Sequence, residues 1–492
     1  MKNKIIHLKK YFHSGTVSFD GLILTTVKVI TMVVSLINTM ILSRLLSLSE
    51  YGTYSQLLSI ISIISIVSSM GLNNAVNYFY NKSDEEKEKS EYISTIFFIT
   101  ILIGFIFGLI LVLFSNNIAI FYNNPSLSTL IVYIAFKPVL DNIIAVFQPL
   151  FISLKKAKKI AIINVIISII KVIVVTLGYV ITKKISMIFI VQVLLDILQI
   201  IILHINIKNL IPRIKLTLNN KYIKEIIKYS LPLTLALMSG IIFKESDKIV
   251  VSKLSTIENL AIYSNMSKQL PFEFVVTSFT AVVTPIIVKH IRNNKSEAIK
   301  LWKNYFQFSY TISWILNFGA IVCAKEMLIF LYSEKYIGGL NIFIIYLIVE
   351  IFRFTYFGLI LSASGNTKLI TISSVISVIL NIILNIVLYI VLGITGPAIA
   401  TLITVIVMGV MQITYSLKIL NIKCLDIINF KEIFKYIIQL TVIGIICYII
   451  KMLLYKIISN YVIIFIIIYA FYVIINLLIN KKKIMYLIKE ME

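Results

Sequence analysis

The sequence predicts an all-α polytopic membrane protein with about 14 transmembrane helices, and three observations carry that expectation. Of 492 residues, 59% are hydrophobic and only 14% charged, whereas a soluble domain holds roughly 45–50% apolar and 25% charged residues. The apolar residues fall in runs of about 20, the length of helix that crosses a ~30 Å hydrocarbon layer. The 46 Lys and Arg, against 22 Asp and Glu, lie mostly in the polar breaks between those runs. A nucleic-acid binder would gather them on a soluble face, so it is their scatter between apolar runs that turns the net charge of +24 from a sign of nucleic-acid binding into one of membrane topology.

The runs follow one another from the N-terminus. They cover 17–41, 53–79, 92–115, 127–151, 160–181 and 185–207, then 229–252, 260–289, 301–324, 340–362, 368–391 and 397–417, and finally 435–454 and 461–479. Thr182-Lys183-Lys184 alone separates the fifth from the sixth. The longest polar connections, 208–228 and 418–434, are too short for a soluble domain. The basic start, MKNKIIHLKKYFHSG, lacks a small-residue cleavage site after its apolar stretch and reads as a retained cytoplasmic end. Three cysteines (Cys323, Cys424, Cys447) and four scattered histidines give neither a disulfide framework nor a metal-ligand spacing, so no cofactor is expected.

Basic residues set the orientation. With span-edge residues assigned to the adjoining loop, 31 Lys and Arg fall on the side of both termini and 8 on the other. The positive-inside bias therefore places both termini in the cytoplasm and requires an even number of crossings. Lys155-Lys156-Ala157-Lys158-Lys159 and Lys481-Lys482-Lys483 read as anchors near anionic headgroups.

An internal repeat orders the spans. Ser43–Ser55 reads SRLLSLSEYGTYS and Ser252–Ser264 reads SKLSTIENLAIYS, each following one crossing and entering the next. The offset of 209 residues carries the first six spans onto the seventh to twelfth. The expected domains are a six-helix half at 1–210, a second at 211–420, and an extra hairpin with a basic tail at 421–492. A parallel repeat of this kind fits a transporter with a central cavity between its halves and alternating access by rocking.

Several segments then resemble a known family. LSRLLSLSEYGTYSQLLSI (42–60) with MGLNNAVNYF (70–79), KYSLPLTLALMSGIIFKESDKIVVSKLST (228–256), LSASGNTKLI (361–370) and GITGPAIATLITV (393–405) occur in the order seen in the Wzx-like polysaccharide flippases. These form a branch of the multidrug/oligosaccharidyl-lipid/polysaccharide exporter superfamily. The resemblance runs from about 15 to 417. Twelve helices are common in that branch, so the last hairpin is a departure, similar to the lipid II flippases. The resemblance implies a secondary transporter that turns an undecaprenyl-diphosphate-linked oligosaccharide to the outer leaflet, with a lipid-linked oligosaccharide as cargo and polymerase and glycosyltransferases as partners. The chain has no GxxxxGK[ST] loop to cradle nucleotide phosphates.

Ionisable residues inside spans are the candidate site, because each costs about 2.5–3.5 kcal/mol at the bilayer centre and must face protein or water. Lys244, Asp247 and Lys248 share one face of the seventh span, with Glu245 beside them. They read either as lysines that attract a diphosphate or as a self-neutralised packing cluster. Lys28, in the repeat-equivalent first span, and Lys171, in the fifth, have no local partner. Lys137 with Asp141 and Glu350 with Arg353 are spaced to pair on their own helices. Arg44 and Lys253 stand at equivalent outer-mouth positions. Asp196, Asp141 and Glu273 are candidates for binding a coupling proton or cation. The in-span charge balances, seven basic residues against seven acidic ones, so a cationic cavity follows from the resemblance and not from the count.

Two other functions compete. A cation-coupled multidrug exporter of the same superfamily would need a more apolar, acidic pocket. A membrane polysaccharide polymerase or glycosyltransferase would need a sizeable external loop, and the external connections here are all short.

Overall fold

The structure is a computed structural model that describes residues 17–208 and 220–491, with side chains described from residue 26 onward except at 220, 235–236 and 273–277. Every regular element among the described residues is helical. The chain divides into two compact units, Met1–Glu245 and Ser246–Glu492. The first holds α1 (Val17–Leu45), α2 (Leu48–Ser69), α3 (Leu72–Lys82), α4 (Glu86–Leu113), α5 (Ser115–Phe121), α6 (Ser126–Ile134), α7 (Lys137–Ser153), α8 (Ala157–Thr182) and α9 (Ile185–Lys208). Helix α10 (Asn220–Leu254) runs from the first unit into the second. The second continues with α11 (Ile257–Met266), α12 (Glu273–Asn293), α13 (Lys295–Val322), α14 (Ala324–Tyr332), α15 (Leu340–Phe352), α16 (Leu359–Ala363), α17 (Thr367–Leu392) and α18 (Gly396–Leu420). It ends with α19 (Cys424–Ile427), α20 (Phe430–Leu454) and α21 (Tyr461–Met491).

The 209-residue offset recurs in the helix boundaries. Helices α1 and α10 end at Leu45 and Leu254, and α2 and α11 begin at Leu48 and Ile257. Helices α4 and α13 are both 28 residues long and start at Glu86 and Lys295. Helices α8 and α17 are both 26 residues long, shifted by 210. Local chemistry explains the first match. Ser47 closes a capping box with Glu50, and Thr256, 209 positions on, accepts from the Asn259 amide. Each cap satisfies amides that a helix start leaves open.

Burial is inverted relative to a soluble protein. Helix α8 exposes Ile162, Ile166, Ile169, Ile173 and Leu177, and α17 exposes Ile372, Ile376, Ile379, Ile383 and Val387, each set 210 residues from its counterpart. A helical stripe of exposed isoleucine is a face toward hydrocarbon. The opposite side of α17 buries Ser373, Ser377, Asn381 and Asn385 completely. Gln412 of α18 donates to Ser373 (3.0 Å) and Asn381 donates to Thr404 (3.2 Å). These partners number in opposite directions, so α17 and α18 form an antiparallel hairpin. Hydrogen bonds of this kind between membrane helices contribute ~0.6 kcal/mol on average.

Ten stretches among the described residues are long and apolar enough to cross a membrane, or up to twelve when two bent pairs each count as one span. One of the ten, Thr367–Leu420, is the α17–α18 hairpin. The expected span 260–289 is divided between α11 and α12, with Pro271 in the break, and is not among the ten. The expected span 301–324 corresponds to α13, whose continuation α14 turns away by 86°.

The C-terminal hairpin belongs to the second unit. Tyr436 of α20 donates to the Thr311 carbonyl of α13 at 2.7 Å. A Cβ on Gly319 would lie 2.7 Å from the ring of Tyr472, so α13 and α21 approach as closely as glycine allows.

Candidate functional site

In the first unit, charges far apart in sequence meet at one place. Lys137, at the start of α7, donates to Asp141 Oδ1 at 2.9 Å and to Asp196 Oδ2 of α9 at 2.8 Å. Lys171 of α8 donates to Asp196 Oδ1 at 2.5 Å and to Gln199 Oε1 at 3.1 Å. Gln199 in turn donates to Asn164 at 3.1 Å. Asp196 is only 1% exposed, against 35% for Asp141. Lys137, Lys171 and Asp196 line a cavity of about 240 Å³ together with Thr31, Ser35 and Asn38 of α1. Tyr54 of α2 is buried beside it, with its ring stacked on Phe189 at 5.7 Å. Within the low-dielectric layer a buried carboxylate persists in ionised form only when paired, and Asp196 has one ammonium per oxygen.

The second unit holds a related site with different chemistry. Asp247 of α10 accepts from Tyr263 of α11 at 3.0 Å and from Tyr346 of α15 at 2.5 Å, and the two hydroxyls lie 2.9 Å apart. Asn381 of α17 donates to Thr401 of α18 at 3.4 Å. Ser246 donates to Asn381 at 2.6 Å, and Asn385 donates to Asn381 at 3.0 Å. These are the repeat counterparts of the first site. Asn38, Tyr54, Lys137 and Gln192 shift by 209 onto Asp247, Tyr263, Tyr346 and Thr401, and Lys171 shifts by 210 onto Asn381. The same positions therefore carry two ammonium groups in the first unit and phenol and amide groups in the second.

Lys28 is exposed on α1 and makes no ion pair among the described residues. Of the seventh-span group, Lys244 is exposed, Lys248 is half-buried, and Glu245 and Asp247 are buried. Glu245 accepts from Ser59 of α2 at 2.7 Å within the first unit. Arg44 donates to the Met40 carbonyl of its own helix at 2.9 Å, a snorkelling side chain at a helix C-terminus. Lys253 is half-buried. Arg353, just past α15, pairs with Glu350 at 3.4 Å. The side chain of Glu273 lies outside the described residues.

Two further arrangements have no local signature in the sequence. The C-terminal ends of α8 and α17 are tied by equivalent tyrosines. Tyr179 donates to Glu50 at 3.1 Å, and Tyr389 donates to the Leu254 carbonyl at 2.7 Å. In the second unit, Lys451 of α20 pairs with Glu326 of α14 at 3.3 Å and donates to the Val322 carbonyl at 2.6 Å. Tyr455 donates to the same Glu326. This pair borders a largely apolar cavity of about 630 Å³ between α13, α14, α15 and α20. Only the 209-residue repeat could have pointed to the tyrosines, and nothing local pairs Glu326 with Lys451.

Comparison with known proteins places this architecture. A lipid II flippase, MurJ, in an inward closed conformation, matches with a TM-score of 0.71 and 18% identity, covering 94% of this chain and 100% of its own. An inward-facing multidrug resistance MATE transporter of the MOP superfamily matches with a TM-score of 0.68 and 11% identity, covering 80% of this chain and 94% of its own. A MOP superfamily transporter from Pyrococcus furiosus matches with a TM-score of 0.56 and 10% identity, covering 81% and 95%. No curated protein matches at a significant level. The fold is thus that of the MOP superfamily transporters, and the protein is a multi-pass membrane protein. The model of the polysaccharide biosynthesis protein family matches residues 41–339, more than half of the chain, and the chain belongs to that family.

Proposed function

We propose that the protein is a flippase of the Wzx-like branch, which moves an isoprenoid-diphosphate-linked oligosaccharide from the cytoplasmic to the outer leaflet of a bacterial inner membrane for surface polysaccharide assembly. The observation that carries this reading is membership of a polysaccharide biosynthesis family in a chain with a transporter fold. The lysines inside its spans suit the cargo, since an ammonium on a flexible stem follows a moving phosphate as a point charge. In this reading the two repeats are the rocking halves, and Lys28, Lys244 and Lys248 meet the diphosphate. Lys171, Arg353 and Asp247 shape the path, Arg44 and Lys253 stand at the outer mouth, and both termini are cytoplasmic. Polymerase and glycosyltransferases are its partners in assembly.

The test is a clean deletion in a strain without a redundant flippase. Labelled lipid-linked repeat units should accumulate on the cytoplasmic leaflet, and Lys248→Gln should restore export less well than the native gene. Normal surface polysaccharide in the deletion would refute the proposal. The buried Asp247 carboxylate favours a second reading, a cation-coupled multidrug exporter, which predicts drug sensitivity in the deletion with unchanged surface polysaccharide.

A further inference from the structure

The twin sites differ in where their positive charge comes from. In the first unit both oxygens of the buried Asp196 are taken, Oδ1 by Lys171 and Oδ2 by Lys137. Lys171 is further fixed by Gln199, which Asn164 holds in turn. At the matching positions of the second unit stand Asn381 and Tyr346, and the carboxylate of Asp247 accepts from phenol hydroxyls.

The titratable groups around the first site are Lys137 and Asp141 on α7, Lys171 on α8, Asp196 on α9 and the phenol of Tyr54 on α2, whereas α1 lines the cavity with Thr31, Ser35 and Asn38. Two ammoniums and two carboxylates sum to zero. A monovalent cation entering this cavity would have to displace an ammonium that cannot leave the protein. The cluster would then hold three positive charges against two negative ones in a low-dielectric layer, where like charges repel strongly. Without Lys171 the cluster carries a net charge of −1. It keeps one open carboxylate oxygen, an amide oxygen from Gln199 and a polar cavity, which are oxygen ligands of the kind a hard cation takes.

We propose that Lys171 is a built-in counter-ion that fills the cation position of the first unit, so that this unit binds no exogenous coupling cation, and that its removal turns Asp196 into a site for a monovalent cation such as Na+. The assignment concerns ion binding and holds whichever cargo the chain carries.

The test measures radioactive Na+ bound to the purified full-length protein at pH 6 and pH 9. Lys171→Gln should bind one more Na+ per chain than the native protein at pH 9. The double variant Lys171→Gln/Asp196→Asn should lose the added site, and Lys171→Arg should never gain it. In the native background, Asp196→Asn should leave Na+ binding unchanged, a measurement that stands even if Lys171→Gln does not fold. No gain in Lys171→Gln at either pH would overturn the proposal. So would loss of native Na+ binding in Asp196→Asn.

Discussion

Replacing Lys451 by methionine should loosen the C-terminal hairpin by an amount set by the partner left behind. The side chains of Lys451 and Glu326 are 7% and 1% exposed, so Lys451→Met leaves a buried carboxylate with only the Tyr455 hydroxyl and no ammonium. Removing one member of a buried pair costs about 3–5 kcal/mol, whereas replacing both by uncharged groups of similar size is close to neutral. Cys447 reports on the opening, since it is a free thiol on α20, one turn before Lys451, and fully buried. In a background with Cys323 and Cys424 replaced by alanine, maleimide labels Cys447 only when α20 lifts off, so the labelling rate follows the local opening free energy. At 1.4 kcal/mol per tenfold, Lys451→Met should label roughly a hundredfold to a few thousandfold faster. The double variant Lys451→Met/Glu326→Gln should return most of the way to the native rate. A rise below about threefold in the single variant, or a double variant faster than either single, would refute the reasoning that this pair holds the hairpin.

Three further outcomes are expected from thermal unfolding of the purified protein. Tyr179→Phe removes a hydrogen bond to the carboxylate of Glu50 and Tyr389→Phe one to the Leu254 carbonyl. The first should cost about 1.5 kcal/mol or more and the second about 1 kcal/mol, and equal or reversed effects would count against a charge-assisted bond at Glu50. Gly71→Ala should destabilise by about 1–3 kcal/mol, because Gly71 has φ +65° and a Cβ there would lie 2.9 Å from the Ser230 carbonyl oxygen; an unchanged transition would show that α3 can shift to make room. Ser47→Ala removes one half of the α2 capping box and should cost about 1 kcal/mol, which Ser47→Asn should largely spare.

The sequence by itself determined the solvent, the element type and the repeat. Hydrophobic run length is a property of consecutive residues, so the apolar spans are legible without any tertiary information. The offset between SRLLSLSEYGTYS and SKLSTIENLAIYS likewise anticipates helix boundaries such as Leu45/Leu254 and Leu48/Ile257, because caps are local. Spacing on one helix also anticipates that Lys137 reaches Asp141 and Arg353 reaches Glu350.

Spacing fails where a partner comes from another helix. Lys171 and Asp196 both lack an opposite charge one turn away, yet they meet across α8 and α9, with Lys137 of α7 closing the cluster. Lys451 reads as a loop-edge anchor but is buried against Glu326, 125 residues earlier. The seventh-span group reads as one charged face, yet burial separates exposed Lys244 from buried Asp247. Inside a membrane a charge must face protein or water, so the sequence shows that each such residue needs a partner or a polar surrounding. Only helix packing decides which one it finds.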